Sequence, residues 1–188
     1  ILVSYGAKSV YGSDIPLTTI GITMKVNQIV SAVIIGLSTG AQPIYGYNYG
    51  CGQKDRVKQT YRIILSVATV FLILAFCIFQ FMPMSIVKLF GSESDLYNEF
   101  AVKCFKIFLL ACPINGLQMV TGIFFQAIGK PTQATILSLT RQIIYLLPAT
   151  ILLPTILGVE GALWAGPVAD GLAFITALIM LKIYWKKL

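Results

Sequence analysis

The stretch IILSVATVFLILAFCIFQFMPMSIV, residues 63–87, contains no charged side chain. A second uncharged stretch covers residues 107–129. A helix needs about 20 apolar residues to cross the roughly 30 Å hydrocarbon layer of a membrane. Each stretch is therefore long enough to span a membrane alone, and together they indicate a membrane protein.

The composition agrees with this interpretation. Of the 188 residues, 57% are hydrophobic and only 11% are charged, and the mean hydropathy is +0.83. A soluble domain carries about a quarter of charged residues, because its surface faces water. A soluble globular domain is therefore excluded as the main architecture.

Three further apolar stretches are each interrupted by one charge: residues 15–45 by Lys25, residues 131–159 by Arg141 and residues 161–181 by Asp170. The sequence thus predicts five transmembrane helices, near residues 15–46, 56–88, 96–128, 131–156 and 159–185. Residues 1–10 are too short to span and are interpreted as the end of a preceding helix. The predicted fold class is an all-α integral membrane bundle, with residues 1–188 forming one transmembrane domain.

Basic residues flank the predicted helices on one side: Lys54, Arg56, Lys58 and Arg62, then Lys130, and finally Lys182, Lys186 and Lys187. Short loops rich in Lys and Arg stay cytoplasmic. We therefore expect a multi-pass protein of the cell membrane with a cytoplasmic C-terminus. The net charge of +7 follows from this bias. No nucleic-acid partner is expected, since the basic residues form no stripe with interleaved aromatics.

The residue types also argue against an enzyme. There is no His, the commonest general base and metal ligand. The four cysteines lack the paired spacing of a zinc or redox site. No nucleophile with a partner base stands out inside a span. We expect no enzymatic activity, no bound metal and no cofactor.

The sequence GLSTGAQPIYGYNYGCG, residues 36–52, is the most informative for function. Lipid alone would not tolerate Gln42, Pro43 and Asn48 together at a helix end, so this segment is expected to face protein or water. Aromatic residues near the predicted helix ends are expected to anchor the protein at the membrane surface. These are Tyr45, Tyr47, Tyr49, Tyr184 and Trp185.

The stretch QPIYGYNYG at residues 42–50, followed by Arg56 and Val57, resembles the signature of multidrug and toxic compound extrusion (MATE) transporters. Further resemblances follow in the same order at residues 125–131, 138–142 and 161–170. The resemblance implies a twelve-helix transporter made of two six-helix lobes. This chain would cover the end of helix seven through helix twelve, which is the second lobe.

The resemblance implies a secondary active antiporter that exports organic, often cationic, compounds by alternating access in exchange for sodium ions or protons. Its implied partners are the lipid bilayer, small organic substrates and an N-terminal lobe that these residues do not contain. The alternative is a lipid-linked oligosaccharide flippase of the same superfamily. A pyrophosphate site would need several cations at membrane depth, and only Lys25 and Arg141 qualify. A purely structural scaffold would not require amides at depth.

The charges within the apolar stretches are candidates for coupling or structure. Lys25 either faces a cavity or an ion-pair partner, or extends to the membrane surface. Asp170 is expected to pair with Arg141 across two adjacent antiparallel helices, in preference to coupling an ion.

The MATE resemblance also identifies a departure at PINGLQ, residues 113–118. The sodium-coupled branch carries an Asp followed three residues later by Gln, whereas Asn115 stands in the Asp position here. Asn115 and Gln118 share one helix face and either bind an ion or substrate or hydrogen-bond between helices. Coupling would then depend on residues outside this chain. Gln42, Asn48 and Gln126 complete the predicted pathway, and Pro43 and Gly46 are predicted packing or bending residues.

Overall fold

The computed structural model describes residues 11–12, 14–90 and 94–185, and every regular element among these residues is a helix. The α-helices of this part are α1 (Asp14–Gly40), α2 (Gln42–Gly50), α3 (Lys54–Phe81), α4 (Pro83–Phe90), α5 (Asp95–Phe108), α6 (Cys112–Ala127), α7 (Pro131–Leu139), α8 (Leu147–Leu157) and α9 (Val159–Trp185). A π-helical segment, Thr140–Leu146, joins α7 to α8. The all-α fold class is confirmed. The predicted helix end at residues 1–10, Lys186 and Lys187 lie outside the described residues.

Four helical units are long and apolar enough to cross a membrane: Asp14–Gly50, Lys54–Phe81, Pro131–Leu157 and Val159–Trp185. A fifth span arises if α5 and α6, which are bent by 48° relative to each other, are taken together. The described part of the chain is therefore a multi-pass membrane bundle of four or five spans, in which α9 covers the last predicted helix.

Two of the predicted helices are broken, and proline explains both breaks. The continuous helix predicted at 56–88 is wrong, because α3 ends at Phe81 and α4 begins at Pro83. The continuous helix predicted at 96–128 is also wrong, because Pro113 follows the bend between α5 and α6. Proline has no N–H to donate to the carbonyl four residues earlier, and its ring clashes with that carbonyl.

The first and fourth predicted helices are interrupted more gently. The helix predicted at 15–46 divides at Ala41 and extends further, to Gly50. The helix predicted at 131–156 contains the π segment, which ends two residues before Pro148. Pro148 cannot bond the carbonyl of Ile144, and a switch to the wider π spacing accommodates this lost bond.

Helix α6 lies at the centre of the bundle, where it packs against α1, α2, α3, α7 and α9. Its Gly116 faces the side chain of Leu72, so the absence of a Cβ allows α3 to approach closely. Its Phe124 ring is fully buried between the rings of Tyr45 and Tyr61. The expectation that Tyr45 anchors at the membrane surface is wrong, since it is only 1% exposed.

The two ends of the bundle differ in charge. At one end Lys58 and Arg62 lie over the ring of Trp185, and Lys130 lies 4.5 Å from the ring centroid of Tyr184. The structure thus gathers basic residues from α3, the α6–α7 loop and the end of α9. We call this the basic end.

At the opposite end the charges are of mixed sign. Lys103 lies 3.3 Å from Glu99 and 3.7 Å from Glu160, so this small network joins α5 to the start of α9. These side chains are exposed, so the network contributes little to stability. The two ends therefore differ in their content of basic residues, and the positive-inside rule infers orientation from such a difference.

Candidate functional site

A polar cavity of about 390 Å³ opens between α1, α2, α6, α7 and the π segment. Its polar lining consists of amides, hydroxyls and one guanidinium: Gln42, Asn115, Gln118, Gln126 and Gln142, with Thr39 and Ser138, and Arg141. No carboxylate lines it within the described part of the chain. Such a surface can donate hydrogen bonds to a ligand, accept them from it, or hold water molecules around it at membrane depth.

The amides of this cavity come largely from one face of α6. Asn115, Gln118, Gly122 and Gln126 are separated by three, four and four residues, which places them along one side of a helix. Gly122 adds no side chain to this face. The sequence therefore presents a strip of polar groups to the cavity over about three turns of α6.

Asn115 has an unsatisfied acceptor in this strip. It is 7% exposed, and its Oδ1 accepts no hydrogen bond from any residue that the structure describes. A buried acceptor without a donor costs about 1–3 kcal/mol. A donor group or a cation brought within hydrogen-bonding distance of this oxygen would recover this free energy.

Gln118 instead makes the interhelical bond that the sequence left open. Its Nε2 donates to the carbonyl oxygen of Leu137 on α7 at 3.2 Å, two residues before α7 ends. This bond ties α6 to the helix that leads into the π segment. Gln118 therefore fixes one wall of the cavity, whereas the Oδ1 of Asn115 is buried without a donor among the described residues.

The break between α1 and α2 forms a second wall. Pro43 lies in the first turn of α2 and cannot donate to the carbonyl of Thr39, a residue of the cavity lining. Gln42 lines the cavity at the same break. Gly46 faces α6, because a Cβ at this position would lie 3.5 Å from the carbonyl oxygen of Ala127.

The predicted pairing of Asp170 with Arg141 is confirmed. Arg141 Nε donates to Asp170 Oδ1 at 2.7 Å, and Nη2 lies 2.6 Å from the same oxygen. The side chains are 24% and 10% exposed, so the pair is largely buried. Arg141 belongs to the π segment and Asp170 to the middle of α9, as expected for two neighbouring antiparallel spans.

This ion pair lies between two cavities. A second cavity of about 440 Å³ is lined mainly by apolar residues of α1 and α9, together with Phe108 of α5 and Leu146 of the π segment. Arg141 lines both cavities, whereas Asp170 lines only the second. The ion pair therefore separates the polar cavity from the mainly apolar one.

Two predicted pathway residues lie away from the polar cavity. Asn48 is buried, and its Nδ2 donates to the carbonyl oxygen of Ile44 within α2 at 2.8 Å. Lys25 is exposed on α1 and makes no ion pair with the described residues. Neither residue lines the polar cavity. Their predicted roles in a pathway stay predictions.

The structure adds cavity residues that the sequence did not single out: Thr39, Ser138 and Gln142. The helical spacing offered a signal for two of them. Ser138 precedes Arg141 by three residues, and Gln142 follows Ser138 by four, so all three share a helix face.

The apolar spans, with a polar cavity between them, define a class of protein, the multi-pass helical membrane proteins. A model of a protein family, described as MatE, matches residues 3–151. The chain belongs to this family, in agreement with the resemblance seen at residues 42–50.

Curated relatives include the multidrug export protein MepA of Staphylococcus aureus (strain MSSA476), which is 24% identical over 92% of this chain and 38% of its own length. MepA of Staphylococcus haemolyticus (strain JCSC1435) is 25% identical over 89% of the chain and 36% of its own length. The chain therefore spans less than two fifths of the length of these relatives.

Solved structures give the same picture. The MATE multidrug transporter DinF-BH, in complex with R6G, superposes with a TM-score of 0.80 at 35% identity, over 92% of this chain and 38% of that one. An outward-facing multidrug resistance MATE family transporter superposes with a TM-score of 0.87 at 15% identity, over 99% of this chain and 42% of that one. The latter likeness concerns the fold alone.

Proposed function

We propose that this chain is the second lobe of a secondary active antiporter that exports organic, often cationic, compounds by alternating access. The observation that carries the proposal is the polar cavity, in which the buried Oδ1 of Asn115 lacks a donor. A substrate ammonium or amide N–H is the complementary group. The names of the relatives, multidrug export proteins and multidrug transporters, support the same function.

The coupling ion is sodium or a proton, and we place its titratable site outside the polar cavity. No carboxylate lines that cavity in the described part of the chain, and Asn115 does not titrate. Asp170, the acidic residue in the middle of α9, is neutralised by Arg141. Coupling then resides in the first lobe.

The flippase alternative receives less support from the cavity. A lipid pyrophosphate demands several cationic groups. Among the described residues that line the polar cavity, Arg141 is the one cation, and it is already paired with Asp170.

Replacement of Asn115 with Ala tests the proposed role of this cavity. We expect the apparent affinity for an exported fluorescent organic cation to fall about three- to tenfold, the effect of one lost hydrogen bond of about 1 kcal/mol. The dependence of export on sodium or pH should stay unchanged. The measurement is dye export by cells that express the full transporter, over a range of dye concentrations and at several sodium concentrations and pH values.

The matched control is Asn48→Ala, which removes an equally buried amide that bonds within α2 and lies outside the cavity. This variant should keep the wild-type affinity. A wild-type affinity of Asn115→Ala, or equal losses in both variants, would contradict a substrate-binding cavity. Loss of ion dependence in Asn115→Ala would place coupling at α6 instead.

The basic end is proposed to face the cytoplasm. In a cysteine-free background, Lys54→Cys and Lys130→Cys should be protected from an impermeant thiol reagent added outside intact cells. Glu99→Cys and Glu160→Cys, at the opposite end, should react. Labelling of the basic-end cysteines in sealed cells, with protection of the other two, would reverse the proposed orientation.

A further inference from the structure

A groove outside the polar cavity runs along α3 and α9 at the basic end. It has a volume of about 740 Å³ and is lined by Tyr61, Arg62, Leu178, Ile179, Leu181, Lys182 and Trp185. We call it the α3–α9 groove. Its lining is apolar toward the middle of the bundle and basic at its mouth, so it is amphipathic along its length.

Three cations converge at the mouth of the groove. Lys58 Nζ lies 5.9 Å from the ring centroid of Trp185, and Arg62 Cζ lies 5.8 Å from it. Lys182, one turn before Trp185 on α9, lines the groove. None of the three forms an ion pair with the described residues. A cation over an aromatic ring keeps its N–H donors available for an anion.

The floor of the groove is apolar and exposed within a membrane span. Leu178 is 43% exposed and Ile179 is 55% exposed, although both lie within the span Val159–Trp185. On α3 the neighbouring Ile63 and Val67 are also exposed within a span. Apolar side chains at this depth are covered by lipid tails.

We infer that the α3–α9 groove binds an anionic phospholipid of the cytoplasmic leaflet. The lipid phosphate lies among Lys58, Arg62 and Lys182, and one acyl chain lies along Leu178 and Ile179. Trp185 takes the position at the interface where indole rings are enriched. The charge of the mouth complements an anionic headgroup, and the apolar floor selects a lipid over a soluble phosphate.

The test is native mass spectrometry of the full protein, extracted in mild detergent and incubated with phosphatidylglycerol or phosphatidylcholine. We expect stable adducts with phosphatidylglycerol and few with phosphatidylcholine. Neutralisation of Arg62 and Lys182, as Arg62→Gln with Lys182→Gln, should weaken phosphatidylglycerol binding about fivefold for each cation. Ile179→Trp, which fills the groove without a change of charge, should weaken binding as well.

The matched control is Lys54→Gln with Arg56→Gln, which removes the same number of positive charges from the basic end at two residues that do not line the groove. This variant should bind phosphatidylglycerol as the wild type does. Equal losses in the two double variants would replace a built site with diffuse surface attraction and overturn the inference. Unchanged binding in Arg62→Gln with Lys182→Gln, or displacement of the lipid by soluble glycerophosphate, would also overturn it. Dye export by Asn115→Ala reports on the polar cavity separately.

Discussion

Replacement of Asp170 with Asn is expected to lower the yield of folded protein sharply. Both contacts of Arg141 with this carboxylate use Oδ1, and the pair is largely shielded from water. Removal of one partner from a buried ion pair costs about 3–5 kcal/mol, because the remaining charge is buried without compensation. Arg141 is partly exposed, so we expect the lower part of this range. The measurement is the yield and the thermal midpoint of the purified full protein.

The double variant Asp170→Asn with Arg141→Gln should recover most of the yield, because neither change then leaves a lone buried charge. Its export should keep its dependence on sodium or pH. The control is Glu99→Gln, which breaks the exposed pair with Lys103 and should change stability by at most about 1 kcal/mol. Normal yield of Asp170→Asn with loss of ion dependence would show instead that Asp170 couples the ion.

Replacement of Gly46 with Leu is expected to abolish most export while the protein still inserts into the membrane. A Cβ alone at this position would make ordinary contact with the Ala127 carbonyl oxygen, at 3.5 Å. The three further carbons of Leu have to enter the α2–α6 contact and push the two helices apart. Since α6 carries the strip of amides, this displacement would deform the polar cavity. Dye export is measured at matched amounts of membrane-inserted protein.

Gly46→Ala provides the control at the same position and should export nearly normally. Pro43→Leu should also impair export, because Leu restores the N–H that can bond the Thr39 carbonyl and so close the break between α1 and α2. Normal export by Gly46→Leu at a normal level of insertion would show that the close approach of α2 to α6 has no functional role.

Many residues of the polar cavity could be predicted from the sequence. Gln42 and Gln126 were singled out because amides in an apolar span need partners, and Asn115 and Gln118 because the resemblance places them where the sodium-coupled branch carries Asp and Gln. All four line one cavity. Arg141 and Asp170 paired as expected because each lay alone in one of two consecutive spans. In these cases the rarity of polar groups in a membrane made the inference specific.

Asn48 shows where this reasoning is insufficient. It stands six residues after Gln42, and six residues turn a helix by about 600°, which places the two side chains on different faces. Its amide is satisfied within α2 instead. Tyr45 was expected at the surface, yet aromatic packing against Phe124 buries it. Composition alone does not distinguish an interfacial ring from one in the core.

The helix breaks could be predicted from the sequence only in part. Pro83 and Pro113 are present in the sequence, but a span predicted from hydropathy alone takes no account of a helix break at a proline within an apolar run. The π segment has a weaker signal, since Pro148 follows it rather than lying in it. Which carbonyls lose their bonds, and by how much the axis turns, depends on tertiary packing.

The π segment from Thr140 to Leu146 has a consequence for the tolerance of this span to insertions and deletions. An α-helix turns by about 100° per residue, so an extra residue taken up by a local widening leaves the flanking helices in phase with their neighbours. Deletion of one residue other than Arg141 from this segment should therefore be tolerated, because the span returns to ordinary α-helical spacing while α7 and α8 stay in phase with their neighbours. A deletion within α8, which has no widened turn, would instead rotate the side chains on one side of it by about 100° relative to those on the other. The wide turn is the place where this span tolerates a change of length.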